Sequence, residues 1–141
     1  MASEPIRDPV SDHLLTPQNA ALIIIDYQPV QVNSIASMDR QKLIMTALWT
    51  EACLTFPSLD ALREGYEVYP VVDAVGGTSV EAHEAALRRI EQAGGKLISW
   101  TQLLCELQRD WARKETVPAF MDLFIQTGGT AGIQFSYDKA D

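Results

Sequence analysis

From residue 20 onward, short apolar runs alternate with longer stretches in which apolar residues recur every three or four positions. The runs "AALIIID" (20–26) and "KLIMTAL" (42–48) carry apolar residues at successive positions, the pattern of strands covered on both faces. "YEVYPVVDA" (66–74) and "KLISW" (96–100) add a third and a fourth strand. Between them, "TEACLTFPSLDALREG" (50–65) sets Cys53, Phe56, Leu59 and Leu62 at helical spacing, accommodates Pro57 near its first turns and stops at Gly65. "GGTSVEAHEAALRRIEQAGG" (76–95) opens with a turn, offers Thr78 or Ser79 as an N-cap, and ends on a glycine pair. A helix over 101–114 capped by Thr101 follows, then another over 117–127 and an irregular tail, "GGTAGIQFSYDKAD". Strands alternating with helices predict βα units in a three-layer α/β/α fold with a mostly parallel sheet. Residues 1–19, with Pro5, Pro9 and Pro17, read as an arm that wraps a neighbour, and 20–141 as a single domain.

One joint departs from this pattern. Parallel neighbours need a crossover of about a dozen residues or more, usually containing a helix. Between Asp26 and Lys42 stand only residues 27–41, "YQPVQVNSIASMDRQ", with a proline and no apolar stripe of helical period.

Composition narrows the function classes. With 141 residues, 47% of them hydrophobic and 21% charged, the chain has the balance of one globular domain. Net charge is −8 without a lysine/arginine cluster, which argues against neutralising nucleic-acid phosphates. The run "ALIII" (21–25) is too short to span a bilayer, and the N-terminus lacks the basic and apolar regions of a secretory signal. Two cysteines 52 positions apart have neither disulfide-framework nor metal-ligand spacing, so a reducing cytoplasmic setting is expected, with no membrane partner. "GGTS" (76–79) lacks the G-x-x-x-x-G-K pattern of a phosphate loop and reads as a strand-to-helix turn. His13 and His83 are isolated, His83 on a polar helix face open to solvent.

Candidate chemistry centres on Cys53. A cysteine on the first turn of a helix faces unpaired backbone N–H groups and the positive end of the helix dipole, and both favour the thiolate. A thiolate attacks a carbonyl carbon to give an oxyanion and then a thioester. Local chemistry alone leaves a second reading open, a small apolar residue where a helix meets the core. Asp26, at the end of its strand, is either a turn-capping carboxylate or a general base at the carboxyl edge of the sheet.

At "LIIIDYQ", at "ALWTEACLTFPSLDALREGYEVYPVVDAVGGTSVEAHEAALRRIEQAGG" and again at "WTQLLCELQRDWAR", the chain closely resembles the isochorismatase-like cysteine hydrolases. The resemblance is strongest to the octameric small bacterial hydrolase branch and covers nearly everything from residue 13 onward. It implies a doubly wound α/β fold and a Cys–Asp–Lys triad working on C–N bonds of a small-molecule substrate. It implies Asp26 as general base and Cys53 as nucleophile. It further implies a cis peptide between Leu48 and Trp49, and an oxyanion hole formed by the N–H groups of Trp49 and Cys53. The family's lysine lies on a segment that has no counterpart here, as though about two βα units were removed between residues 41 and 42. That gap coincides with the short joint. Lys42, Lys96, Lys114 and Lys139 are the lysines present, and none is placed to substitute. "DYQ" lacks the D-x-H pattern of zinc-binding members, so no metal or other cofactor is expected. The expectation is an impaired hydrolase assembled as a homo-oligomer; the alternative is a non-catalytic, oligomer-forming remnant of the same family.

Overall fold

A computed structural model describes residues 8, 10–25 and 42–138. Strands β1 (Ala20–Ile25), β2 (Lys42–Ala47) and β3 (Glu67–Pro70) form a parallel sheet in the order β1-β2-β3. Ala20 stands opposite Lys42 and Ile25 opposite Ala47, so the strands flanking the short joint are direct neighbours. Lys42 stands opposite Glu67. The joint itself lies outside the described residues.

Alternation along β2 divides the core. Leu43, Met45 and Ala47 face one side, where they meet Leu54, Ala61, Val68 and Ile90. Ile44 faces the other side, with Leu15, Tyr69, Val71 and Ile98. Because both faces of β2 are covered, Leu43, Ile44 and Met45 are apolar at successive positions. Helices α1 (Thr55–Arg63) and α2 (Val80–Gln92) cover the first face, and α3 (Trp100–Gln108) packs Trp100 and Leu103 onto the second. The result is a three-layer α/β/α arrangement around a shortened sheet.

The predicted fourth strand contracts. Residue 96 donates its N–H to the Val68 carbonyl, Ile98 to Pro70, and Val72 to Ile98, but only the bridge between Val71 and Ile98 is formed. The chain then enters α3, whose N-cap is Ser99 and not Thr101: the Ser99 hydroxyl accepts from the Gln102 N–H at 3.1 Å. α3 also ends before the predicted 114, at Gln108, where Arg109 takes φ +65. The predicted irregular tail is helical. After α4 (Val117–Thr127), Gly129 at φ +57 turns the chain into α5 (Gly129–Asp138). Phe124 bridges the two helices, stacked on Phe120 at 5.8 Å and edge-on to Phe135 at 5.5 Å.

Residues 10–19 fold onto this chain's own core. Leu15 is fully buried, and its N–H donates to the Glu106 carboxylate at 2.9 Å. Asp12 pairs with Arg109, while the Lys42 ammonium donates to the Asp12 and Leu14 carbonyls.

Candidate active site

Beyond the carboxyl end of β2 the chain makes an abrupt change of direction. Leu48 forms a bridge to Gly76, the peptide bond joining Leu48 to Trp49 is cis, and a π-helical turn (Thr50–Leu54) leads into α1. The Trp49 carbonyl accepts from the N–H groups of both Ala52 and Leu54, each at 3.2 Å. Thr50 has no exposed surface, and its polar groups are all engaged. Its N–H donates to the Gly76 carbonyl at 2.8 Å, its carbonyl accepts from the Thr55 hydroxyl at 2.6 Å, and its hydroxyl lies 2.8 Å from His83 Nδ1.

Cys53 sits three residues further on, half-buried and packed against the cluster that includes Met45, Ala47 and Leu54. Cys105, by contrast, is exposed on α3. Between Thr50 and Cys53, the Glu51 carboxylate reaches back to the turn before α2. One of its oxygens accepts from the N–H of Thr78 at 2.9 Å and from the Thr78 hydroxyl. These bonds, the hydroxyl's foremost, hold the Glu51 carboxyl below its ordinary range, with His83 adding to the effect. The other oxygen, Oε2, is buried without a hydrogen-bond partner among the described residues. Gly77 closes over this corner so tightly that a Cβ there would stand 2.8 Å from His83 Cβ and 3.0 Å from Glu51 Oε2.

The residues singled out in the sequence therefore fall unevenly. Leu48, Trp49 and Cys53 lie together at the end of β2, Leu48 and Trp49 with 68% and 50% of their surface exposed. Asp26 follows β1 directly but lies outside the described residues. Lys42 is buried at the opposite, amino end of β2, and Lys96 is bonded to Glu67 at the same end of the sheet. Lys114 lies in the turn region between α3 and α4. His83, read from the sequence as a solvated residue, is instead half-buried against Gly77 and bonded to Thr50. No local pattern signals this, because the partner is 33 positions away. Among the described residues, no group of three or more His, Cys, Asp or Glu is arranged to hold a metal. No described helix is long and apolar enough to cross a membrane.

A profile of the isochorismatase domain matches residues 32–102, which contain β2, the π-helical turn, Cys53 and α2. The chain belongs to the isochorismatase family. It is 38% identical over 80 residues to the probable hydrolase YcaC of Escherichia coli K12, covering 57% of this chain and 38% of that protein. It is 34% identical over 70 residues to isochorismatase domain-containing protein 2A of Mus musculus, covering 50% and 34%. Two solved structures share the fold. YcaC from Pseudomonas aeruginosa, with hexane-2,5-diol and covalent acrylamide, superposes with a TM-score of 0.70 at 29% identity, covering 78% of this chain and 53% of that one. E. coli YcaC, described as an octameric hydrolase of unknown specificity, gives 0.67 at 32% identity with the same coverage. The chain thus spans about half of the structural relatives it matches, and that partial span agrees with a family fold shortened between residues 41 and 42.

Proposed function

We propose that this chain is an isochorismatase-family cysteine hydrolase acting on the C–N bond of a small amide, slower than its longer relatives, with Cys53 as nucleophile and Asp26 as base. The observation that carries this reading is the position of Cys53 on the first turn beyond the carboxyl end of a parallel strand, the edge where open α/β sheets bind ligands. Asp26 takes the thiol proton. The sulfur then bonds to the carbonyl carbon, and the N–H groups of Trp49 and Cys53 receive the oxyanion. Collapse of that intermediate breaks the C–N bond, the proton returns to the leaving nitrogen, and water hydrolyses the thioester. The rate is held back by electrostatics. Among the described residues, Lys42 and Lys96 are committed at the far end of the sheet, and neither can offset the repulsion of a carboxylate beside the thiolate. The same commitment favours the second reading, a family member that keeps the fold but not the reaction. Assembly as a homo-oligomer is part of the proposal, prompted by the octameric E. coli relative.

Acrylamide is the probe, because the Pseudomonas relative carries it covalently. The thiolate adds to the terminal alkene carbon, a proton enters at the carbon beside the carbonyl, and nothing leaves. Peptide mapping should find Cys53 labelled faster than the exposed Cys105, and Cys53→Ala should abolish slow turnover of a small amide or activated ester. Labelling of Cys53 no faster than Cys105 overturns the nucleophile assignment. A stoichiometric product burst that disappears in Cys53→Ala overturns the claim that the reaction is slowed.

A further inference from the structure

We infer that Thr50 and His83, with Glu51 beside them, form a positioning clip that fixes the direction of the Cys53 thiol; the inference rests on the nucleophile reading of that residue. Two segments distant in sequence converge here: the start of the π-helical turn, and the loop Gly76–Ser79 with the first turn of α2 that follows it. Their bonds are of a kind that fixes orientation. Thr50 is anchored at its N–H, its carbonyl and its hydroxyl, and each partner comes from a different place. A buried residue with every polar group satisfied has one low-energy placement, since leaving any of those groups unpaired costs about 1–3 kcal/mol. Cys53 lies within the five-residue turn that Thr50 opens, so the placement of Thr50 sets the path of the backbone carrying the thiol.

Glu51 and Gly77 add a second restraint. The Glu51 carboxylate fastens the next residue to Thr78, and the absence of a side chain at Gly77 lets that carboxylate and His83 close on the loop. His83 bonds through Nδ1, and that nitrogen is what the clip requires. None of these groups needs to touch a substrate. They act through Cys53, which makes them positioning residues.

A structural role and a positioning role differ in sign. Simple destabilisation opens the half-buried Cys53 and speeds its alkylation, while Cys105, already exposed, keeps its rate. Loss of the clip leaves the fold closed and turns the thiol away, so Cys53 alone slows. The experiment is acrylamide labelling of the full chain, resolved by cysteine, at a temperature well below the melt. Thr50→Val removes the hydroxyl at nearly constant volume and His83→Ala removes the ring. Either should slow Cys53 by about tenfold or more while Cys105 keeps its rate, since displacements of about 1 Å are enough for losses of that order. Thr50→Ser restores the hydroxyl and His83→Asn returns a polar nitrogen near the Nδ1 position, so each should recover most of the rate. Wild-type labelling of Cys53 in both Thr50→Val and His83→Ala, or faster labelling of Cys53 in them, overturns the clip while leaving the nucleophile assignment intact. Failure of Cys53 to outpace Cys105 in the wild-type protein overturns the nucleophile assignment and the clip together, and is seen before any variant is made.

Discussion

Arg109 shows how two opposing costs at one residue are resolved. Its φ of +65 is a conformation that non-glycine residues adopt at a cost of about 1 kcal/mol or more. Its guanidinium pairs with Asp12, and both side chains are about nine-tenths buried. Removing one partner of a buried pair costs about 3 kcal/mol, because the other charge is left alone. The ion pair therefore outweighs the backbone relief, and Arg109→Gly should lower stability by about 2 kcal/mol in urea unfolding; an unchanged or raised midpoint would contradict this. Asp12 itself is held below its ordinary 3.8 first by the Leu14 N–H at 2.9 Å, and also by Arg109. A depressed folded value means the contribution is complete above the ordinary carboxylate value and disappears as pH falls through the folded one. Melting of the wild type should thus fall on acidification below about pH 4, and Asp12→Asn should flatten that part of the profile. At Gly77 the argument is steric. A methyl group 2.8 Å from His83 Cβ and 2.9 Å from the His83 nitrogen meets atoms that cannot swing aside. Gly77→Ala should cost about 1–3 kcal/mol, measurable by the same unfolding experiment, and an unshifted midpoint would show that the corner has slack.

At the scale of elements, α2 is the piece that delivers His83, and its start is set by one side chain. The Ser79 hydroxyl accepts from the Ala82 N–H at 3.1 Å, one residue before His83. Ser79→Ala should cost about 1 kcal/mol as a lost cap, and thermal melting checks it. This cap was legible in the sequence as one of two choices, and β1 and β2 were legible to within a residue of their ends because continuous apolar runs leave little freedom. The fourth strand was legible in position but not in extent. Its backbone bonds to β3 are made, yet Ser99 captures the Gln102 N–H and starts α3 before a ladder can lengthen. The final helix was hidden by its glycines. Gly128, Gly129 and Gly132 suggest a loop, but contacts such as Phe124 on Phe135 supply the packing that propensity lacks. His83 was illegible for a different reason: its value comes from Thr50, and no periodicity within α2 reports a partner on another element.

For the whole molecule, the parallel α/β architecture was readable because alternation of element types is a long-range pattern that survives shortening, whereas the family was readable from the resemblance carried by residues 47–95. Leu22 on the all-apolar strand β1 is 59% exposed, and Trp111, Ile133 and Tyr137 are also exposed on or beside the C-terminal helices. Large exposed apolar groups favour association over an isolated subunit. Sedimentation at micromolar concentration should show species larger than one chain; a stable monomer with a cooperative melt would contradict this.

The contact between Asp12 and Arg109 also imposes an order on synthesis. They are separated by 97 positions, and Leu15 depends similarly on Glu106. At roughly 5–20 residues per second, the amino-terminal segment leaves the ribosome about 5–20 s before its partners exist. Until then Leu15 has no cover from α3, and the Lys42 ammonium has carbonyl partners that nothing yet holds in place. The segment is a seam sewn last, so nascent chains halted before residue 100 should be clipped by protease within residues 10–19, whereas chains extended well past residue 109 should resist.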